Sequence, residues 1–248
     1  MPGVALANAW TVSAEGGQPH GGEVGRGEAV HRAVYRSIGR LPRAVRSRVL
    51  GAAFDTLFGL TADVWRYDSS PYEATKRADL MGSIPGDAQV VLEFGCANGH
   101  NVEALASSRP ACHVIGVDVS KRAVAIARQR IQNLPNASLI CTSGPQGWSR
   151  LRDHTPLIDV VVLSEVLYYL GSADAVLESL YPLRQLLHAG SSVVMVHGGR
   201  DASTLHQVAA KALGMQVAAE AIRSGQGRPY VLATARPVRR RDQVRRVA

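Results

Sequence analysis

The chain has 248 residues, 46% hydrophobic and only 5% aromatic, which suits one α/β domain with a well-filled core. No apolar run reaches the roughly eighteen residues a membrane helix needs, and the N-terminus lacks the basic-then-apolar pattern of a secretory signal, so a soluble, cytoplasmic protein without membrane attachment is expected. The formal net charge of +8 raises the question of a polyanionic partner, yet it sits in the flanks. Seven arginines face Glu28 between Arg26 and Leu50, and six face Asp242 between Arg236 and Ala248. Residues 51 to 235 carry fifteen basic and sixteen acidic side chains, which argues against a nucleic-acid partner and for solvated basic flanks.

In chain order, residues 1–27 are glycine-rich (EGGQPHGGEVGRG) and read as a disordered segment. Residues 28–80 read as a helical cap or lid: apolar positions recur every three or four residues up to Leu60, with a break at Leu41-Pro42 that predicts two amphipathic helices. A paired or swapped cap would make a homodimer, although monomeric packing uses the same pattern. From 81 to 237 the pattern alternates. Strands are expected at Gln89–Phe94, His113–Val117, Ser138–Cys141, Val160–Leu163, Ser192–Val196 and Pro229–Ala233, with helices at Val102–Ser107, Lys121–Leu134, Ala173–Leu187 and Thr204–Leu213. Strands spaced by helices need crossover connections, hence a doubly wound, mostly parallel α/β sheet behind an N-terminal helical cap. Residues 238–248 form a basic tail. Cys96, Cys112 and Cys141 lack CxxC spacing and sit in or beside apolar segments, so packing thiols are expected, with no disulfide and no metal.

The stretch VVLEFGCANGHNVEALA, Val90 to Ala106, passes from an apolar strand through a glycine-rich turn into a helix. Gly95 and Gly99 permit a tight turn with close backbone approach, and the helix start aims free N–H groups at an anionic or carboxylate-bearing ligand. The next strand ends at Asp118, whose carboxylate can accept from both hydroxyls of a ribose. A dinucleotide needs G-x-G-x-x-G, but Ala97 stands at the third position of this turn, so NAD is disfavoured.

The pattern Glu93-x-Gly95-x-x-x-Gly99, with Asp118 and IDVVVLSEVLYYL, resembles class I S-adenosylmethionine-dependent methyltransferases. DVWRYDSSPYEATKRADLMGSIP and SEVLYYL further resemble their NodS-like branch, the nodulation-factor N-methyltransferases, over roughly Asp55 to Pro237. The resemblance implies a Rossmann-like fold, S-adenosylmethionine as cofactor, S-adenosylhomocysteine as product, and transfer to an amine, with an amino sugar as the branch's best-known acceptor. It places Glu93, Gly95, Cys96, Ala97 and Gly99 around the methionine part, Asp118 and Val119 at the ribose, and Ser164 at the edge of the fourth strand. The turn CTSGPQGW lacks the aspartate that meets the adenine amine in many relatives, which leaves Ser143 or a backbone group to serve there. Trp65, Arg66, Tyr67 and Tyr72 precede the fold where a lid over the cofactor would arise, with Arg66 and then Lys76 as partners for its carboxylate. Ordinary core aromatics and surface ion pairs are the competing readings.

Methyl transfer demands mainly that a neutral amine be held in line with the sulfonium and shielded from water. Glu165 and His197, after the fourth and fifth strands, are the candidates to take the amine's proton or orient its lone pair. A purely structural histidine is an equal alternative for His197. Tyr168 and Tyr169 are candidates to shape the acceptor pocket, stacking on a sugar ring, and Asp201 to bind acceptor amines or hydroxyls. The leading expectation is an N-methyltransferase for a small-molecule amine, an amino sugar or aminoglycoside-like natural product. The alternatives are a small-molecule O-methyltransferase and an RNA-associated methyltransferase or binding protein that uses the arginine-rich flanks.

Overall fold

A computed structural model describes residues 37–142, 145–154, 156–199, 201–225 and 228–238. The expected disordered segment 1–27, the start of the cap, Ser143 and almost all of the basic tail lie outside the described residues. Seven strands form one sheet: β1 (Val90–Phe94), β2 (His113–Asp118), β3 (Ala137–Cys141), β4 (Ile158–Ser164), β5 (Leu187–Gly198), β6 (Met215–Gly225) and β7 (Arg228–Pro237). Their order is β3-β2-β1-β4-β5-β7-β6; the first five run parallel, and β7 is antiparallel to both β5 and β6. The connecting helices are α1 (Arg43–Leu60), α2 (Pro71–Ser83), α3 (His100–Ser108), α4 (Lys121–Arg130), α5 (Pro145–His154), α6 (Ala173–Leu180) and α7 (Ala202–Ala212). Among the described residues no helix is long and apolar enough to cross a membrane.

The central strands are continuous apolar runs because both of their faces are covered. VVL of β1 and VVVL of β4 are buried, and the two faces feed two apolar clusters. The chain break expected at Leu41-Pro42 is where α1 starts, with Pro42 as its N-cap. Ser70 caps α2, accepting from the Glu73 N–H, with Pro71 in the first turn. Helix α6 stops at Leu180, short of the expected Leu187, because Pro182 lacks the N–H an α-helix requires there; a 3₁₀ segment, Tyr181–Leu186, follows. Helix α4 likewise ends at Arg130 rather than Leu134.

Two elements have no counterpart among those expected from the sequence. The edge strand β6, MQVAAEAIRSG, mixes alanines and charges and owes its extended state to pairing along β7. Helix α5 begins at Pro145, four residues after β3 ends at Cys141, where only a turn was expected. Cys96 and Cys112 are buried and Cys141 half-buried, all three as free thiols.

Candidate active site

All parallel strands end on one edge, and β1 and β4 are neighbours there, so the turn after each faces the other. The turn after β1 is built from backbone. Gly95 (φ 81°), Ala97 (φ 48°) and Gly99 (φ 82°) are left-handed, and the Gly95 and Cys96 N–H groups donate to Val117 O at 2.7 and 3.0 Å. A Cβ on Gly95 would lie 2.4 Å from Val166 Cγ2, so glycine is required both by φ and by the neighbouring turn. Asp118, at the end of β2, accepts from Ala97 N–H at 2.9 Å and from Ser120 N–H at 2.8 Å, one bond on each carboxylate oxygen. A carboxylate has about four lone-pair sites, so both oxygens keep capacity for hydroxyl donors. Burial pushes the Asp118 carboxyl above its ordinary value.

Glu93 is 2% exposed. Its Oε1 accepts from Asn101 Nδ2 at 2.6 Å, while Oε2 has no hydrogen-bond partner among the described residues. Burial raises its carboxyl to about 7 despite that bond. An orphaned buried oxygen is costly unless something donates to it, and here it adjoins the glycine turn.

The turn after β4 is built from charge. Glu165 is itself left-handed (φ 51°), and its Oε1 lies 2.8 Å from Lys76 Nζ, which also reaches Glu73 Oε1 at 2.8 Å. Gly198 N–H donates to both Glu165 oxygens at 3.1–3.2 Å, and Tyr168 Oη donates to Oε2 at 3.0 Å. Burial alone would raise this carboxyl, but the Lys76 ammonium and the Gly198 N–H override it and hold it at about 2. Lys76 is raised above its usual range by the two glutamates despite its burial, whereas burial keeps Glu73 above its own. The Tyr72 ring carries Lys76 Nζ at 4.8 Å and Arg228 Cζ at 4.4 Å from its centroid. A Cβ on Gly198 would lie 3.7 Å from Tyr72 Oη and 3.6 Å from Glu165 Oε1, which puts Tyr72 on the Glu165 side of the site.

Segment 61–70 is tied to the glycine turn, to α1 and to α2. Asn98 Nδ2 donates to Ala62 O at 3.0 Å, and Asp63 accepts from the Tyr67 and Asp68 N–H groups. His100 links Asp68 at 2.6 Å to Arg77 at 2.8 Å. Trp65 packs against Phe54, Phe58 and Tyr67, and Tyr169 meets Phe54 edge-on at 5.2 Å. Arg66 is exposed in a left-handed turn (φ 57°) whose carbonyl accepts from Ser69 and Ser70. Arg66, Ala97 and Glu165 are the left-handed non-glycine residues among those described, and they sit in the three segments that frame this site. Each costs on the order of 1 kcal/mol, a strain that clusters at functional positions.

Several expected residues thus come together: Gly95, Cys96, Ala97 and Gly99 in one turn, flanked by Glu93 of β1 and Asp118 at the end of β2, with Val119 just beyond, and Glu165, Tyr168 and Tyr169 in the other, after Ser164 closes β4. Lys76, expected to partner a cofactor carboxylate, instead spends its charge on Glu73 and Glu165. His197 is fully buried: Nε2 accepts from the Val166 and Leu167 N–H groups, both at 3.1 Å, and Nδ1 meets His206 Nε2 at 3.0 Å. With both nitrogens engaged and burial pushing it to about 3, it is a neutral group inside the protein. Asp201 is exposed at the N-cap of α7. Glu73, Arg228 and His206 carry no signal in the sequence, since nothing local marks a residue whose partner is on another element.

A methyltransferase domain model matches residues 92–191, from β1 to β5. The chain is 32% identical over 144 residues to nodulation protein S of Rhizobium tropici, covering 57% of each, and 30% identical over 135 residues to that of Sinorhizobium fredii, covering 53% of this chain and 59% of the relative. It thus spans somewhat over half the length of these curated relatives. In fold it is similar to the N-methyltransferase NodS of Bradyrhizobium japonicum, solved with S-adenosyl-L-homocysteine, at a TM-score of 0.61 and 24% identity over 76% of this chain and 98% of that one. The glycine turn, the β2 aspartate and the strands from β1 to β5 thus lie in the part of the chain that is similar to a methyltransferase domain, and the whole sheet is similar in fold to NodS.

Proposed function

We propose that this protein is an S-adenosylmethionine-dependent N-methyltransferase that acts on an amine of a small molecule, an amino sugar or aminoglycoside-like compound. The residues fit the cofactor. Glu93 Oε2 is a buried acceptor suited to an ammonium, Gly95 to Gly99 form a left-handed backbone turn beside it, and Asp118 keeps capacity on both oxygens for a ribose. S-adenosylmethionine supplies a methyl group already activated on a sulfonium. The chain must then hold the acceptor in line and keep water out.

The observation that carries the amine reading is the Glu165 carboxylate, fixed by Lys76, Gly198 and Tyr168 beside the turn that packs on Gly95. Held at about 2, it is too weak a base to strip an alcohol, which weighs against hydroxyl acceptors. A permanent anion at this place does something else. It stabilises the cation that grows as the N–CH₃ bond forms. One proton then leaves the methylated nitrogen for solvent. Tyr168 and Tyr169, 4.4 Å apart, supply an aromatic wall for a sugar ring. Trp65, Arg66 and Tyr67 form the covering segment. His197 supports this turn from behind, and Asp201 stands outside it as a rim contact for acceptor hydroxyls.

Calorimetric titration with S-adenosylhomocysteine, followed by methyl-label transfer to a panel of amino sugars and their hydroxyl analogues, tests the reading. Saturable binding with label on the amines alone supports it. Label on the hydroxyl analogues, or no binding, overturns it.

A further inference from the structure

His197 and His206 are both fully buried, yet the methyl-transfer site uses neither ring directly. His197 Nε2 faces two N–H donors, those of Val166 and Leu167, so it cannot itself carry a proton. The single proton of the neutral ring therefore sits on Nδ1 and is donated to His206 Nε2, 3.0 Å away. His206 must then carry its own proton on Nδ1, which faces Glu220 Oε2 at 3.5 Å, and Glu220 is held by the Ser203 hydroxyl at 2.7 Å. One direction of hydrogen bonding thus runs from the turn after β4 through His197 to His206, whose Nδ1 has no hydrogen-bond partner among the described residues and lies 3.5 Å from the Glu220 carboxylate on β6. Its inner end grips the two peptide groups that directly follow the left-handed Glu165.

We propose that His206 is a positioning residue for methyl transfer: as the acceptor for His197 Nδ1 it locks His197 in the Nδ1–H tautomer and so holds the Glu165 turn in its strained shape. The proposal rests on the amine-methylation reading for its kinetic part only. The opposite tautomer would set an Nε2 proton against the Val166 and Leu167 N–H groups and push that turn away. Neither ring needs to touch the acceptor.

The test compares His206→Gln with His206→Leu in the full chain. Glutamine offers an oxygen near the position of Nε2 and keeps an acceptor for His197; leucine fills the space and removes it. His206→Leu should lower kcat about tenfold, the effect of leaving a buried donor unsatisfied, with the KM for cofactor unchanged within about twofold, and His206→Gln should restore most of kcat. Nitrogen-15 spectra of histidine-labelled protein with S-adenosylhomocysteine should show His197 protonated on Nδ1 in the wild type and tautomerically mixed in His206→Leu. A wild-type His197 protonated on Nε2, an unchanged tautomer in His206→Leu, or equal losses in both variants would overturn the proposal. The spectra require no acceptor, so they decide the tautomer lock even if no amine is methylated; absent turnover overturns the amine reading instead.

Discussion

The two turns that frame the site solve the same problem with different materials. After β1 the polypeptide presents backbone: two glycines and a left-handed alanine, pinned by Val117 O and Asp118. After β4 it presents side-chain charge, a carboxylate bound to a lysine from α2, 89 residues earlier in the chain. On the proposed reading the backbone site is the half that would meet the cofactor, and its sterics tolerate little change. On the same reading the charge site is the half that would meet the acceptor, and its parts arrive from distant elements that can vary separately.

Substitutions that separate the halves follow, largest effect first. Gly95→Ala puts a methyl 2.4 Å from Val166 Cγ2 at a φ of 81°, so S-adenosylhomocysteine affinity should fall by about 100-fold or more in calorimetry. Since Val166 follows Glu165, this is also the change that should damage both halves at once. Glu165→Gln should lower kcat by about 100-fold in a methyl-label assay while cofactor affinity stays within about threefold, the signature of a group that works on the acceptor. A matched loss of affinity would place Glu165 on the cofactor side.

Asp118→Ala should do the converse, weakening S-adenosylhomocysteine binding by about 10- to 100-fold through lost charge-assisted hydrogen bonds. Intact affinity would put the ribose elsewhere. Glu93 gives the smaller, pH-dependent test. Its carboxyl is protonated below about pH 7, and a ligand ammonium favours the anion, so binding must expel a proton there. Affinity should rise as pH increases towards 7, by up to about tenfold per pH unit, and level off above; Glu93→Gln should flatten the profile. A flat wild-type profile would show that the orphaned Oε2 meets no cation. Smallest of all, Asn98→Ala cuts the tie from the glycine turn to Ala62 and should raise the cofactor Kd only about fivefold.

What the sequence determined alone is whatever depends on near neighbours. The apolar strand runs alternating with helices imply a parallel α/β sheet, Pro42 sets where α1 begins, and the spacing of Glu93, Gly95, Gly99 and Asp118 places the glycine turn and its aspartate. These rest on backbone sterics and on strand ends that must be adjacent. The edge strand β6 was invisible because alanine-rich, charged sequence becomes a strand only when β7 offers it a ladder. Likewise, Glu165 was legible as a candidate but not as a strongly held anion, because its state depends on Lys76 and Gly198. Only the tertiary structure decided that His197 is a neutral, doubly engaged ring and that Lys76 serves Glu165: a buried group's charge and tautomer follow from its partners in space, which for these residues lie on other elements.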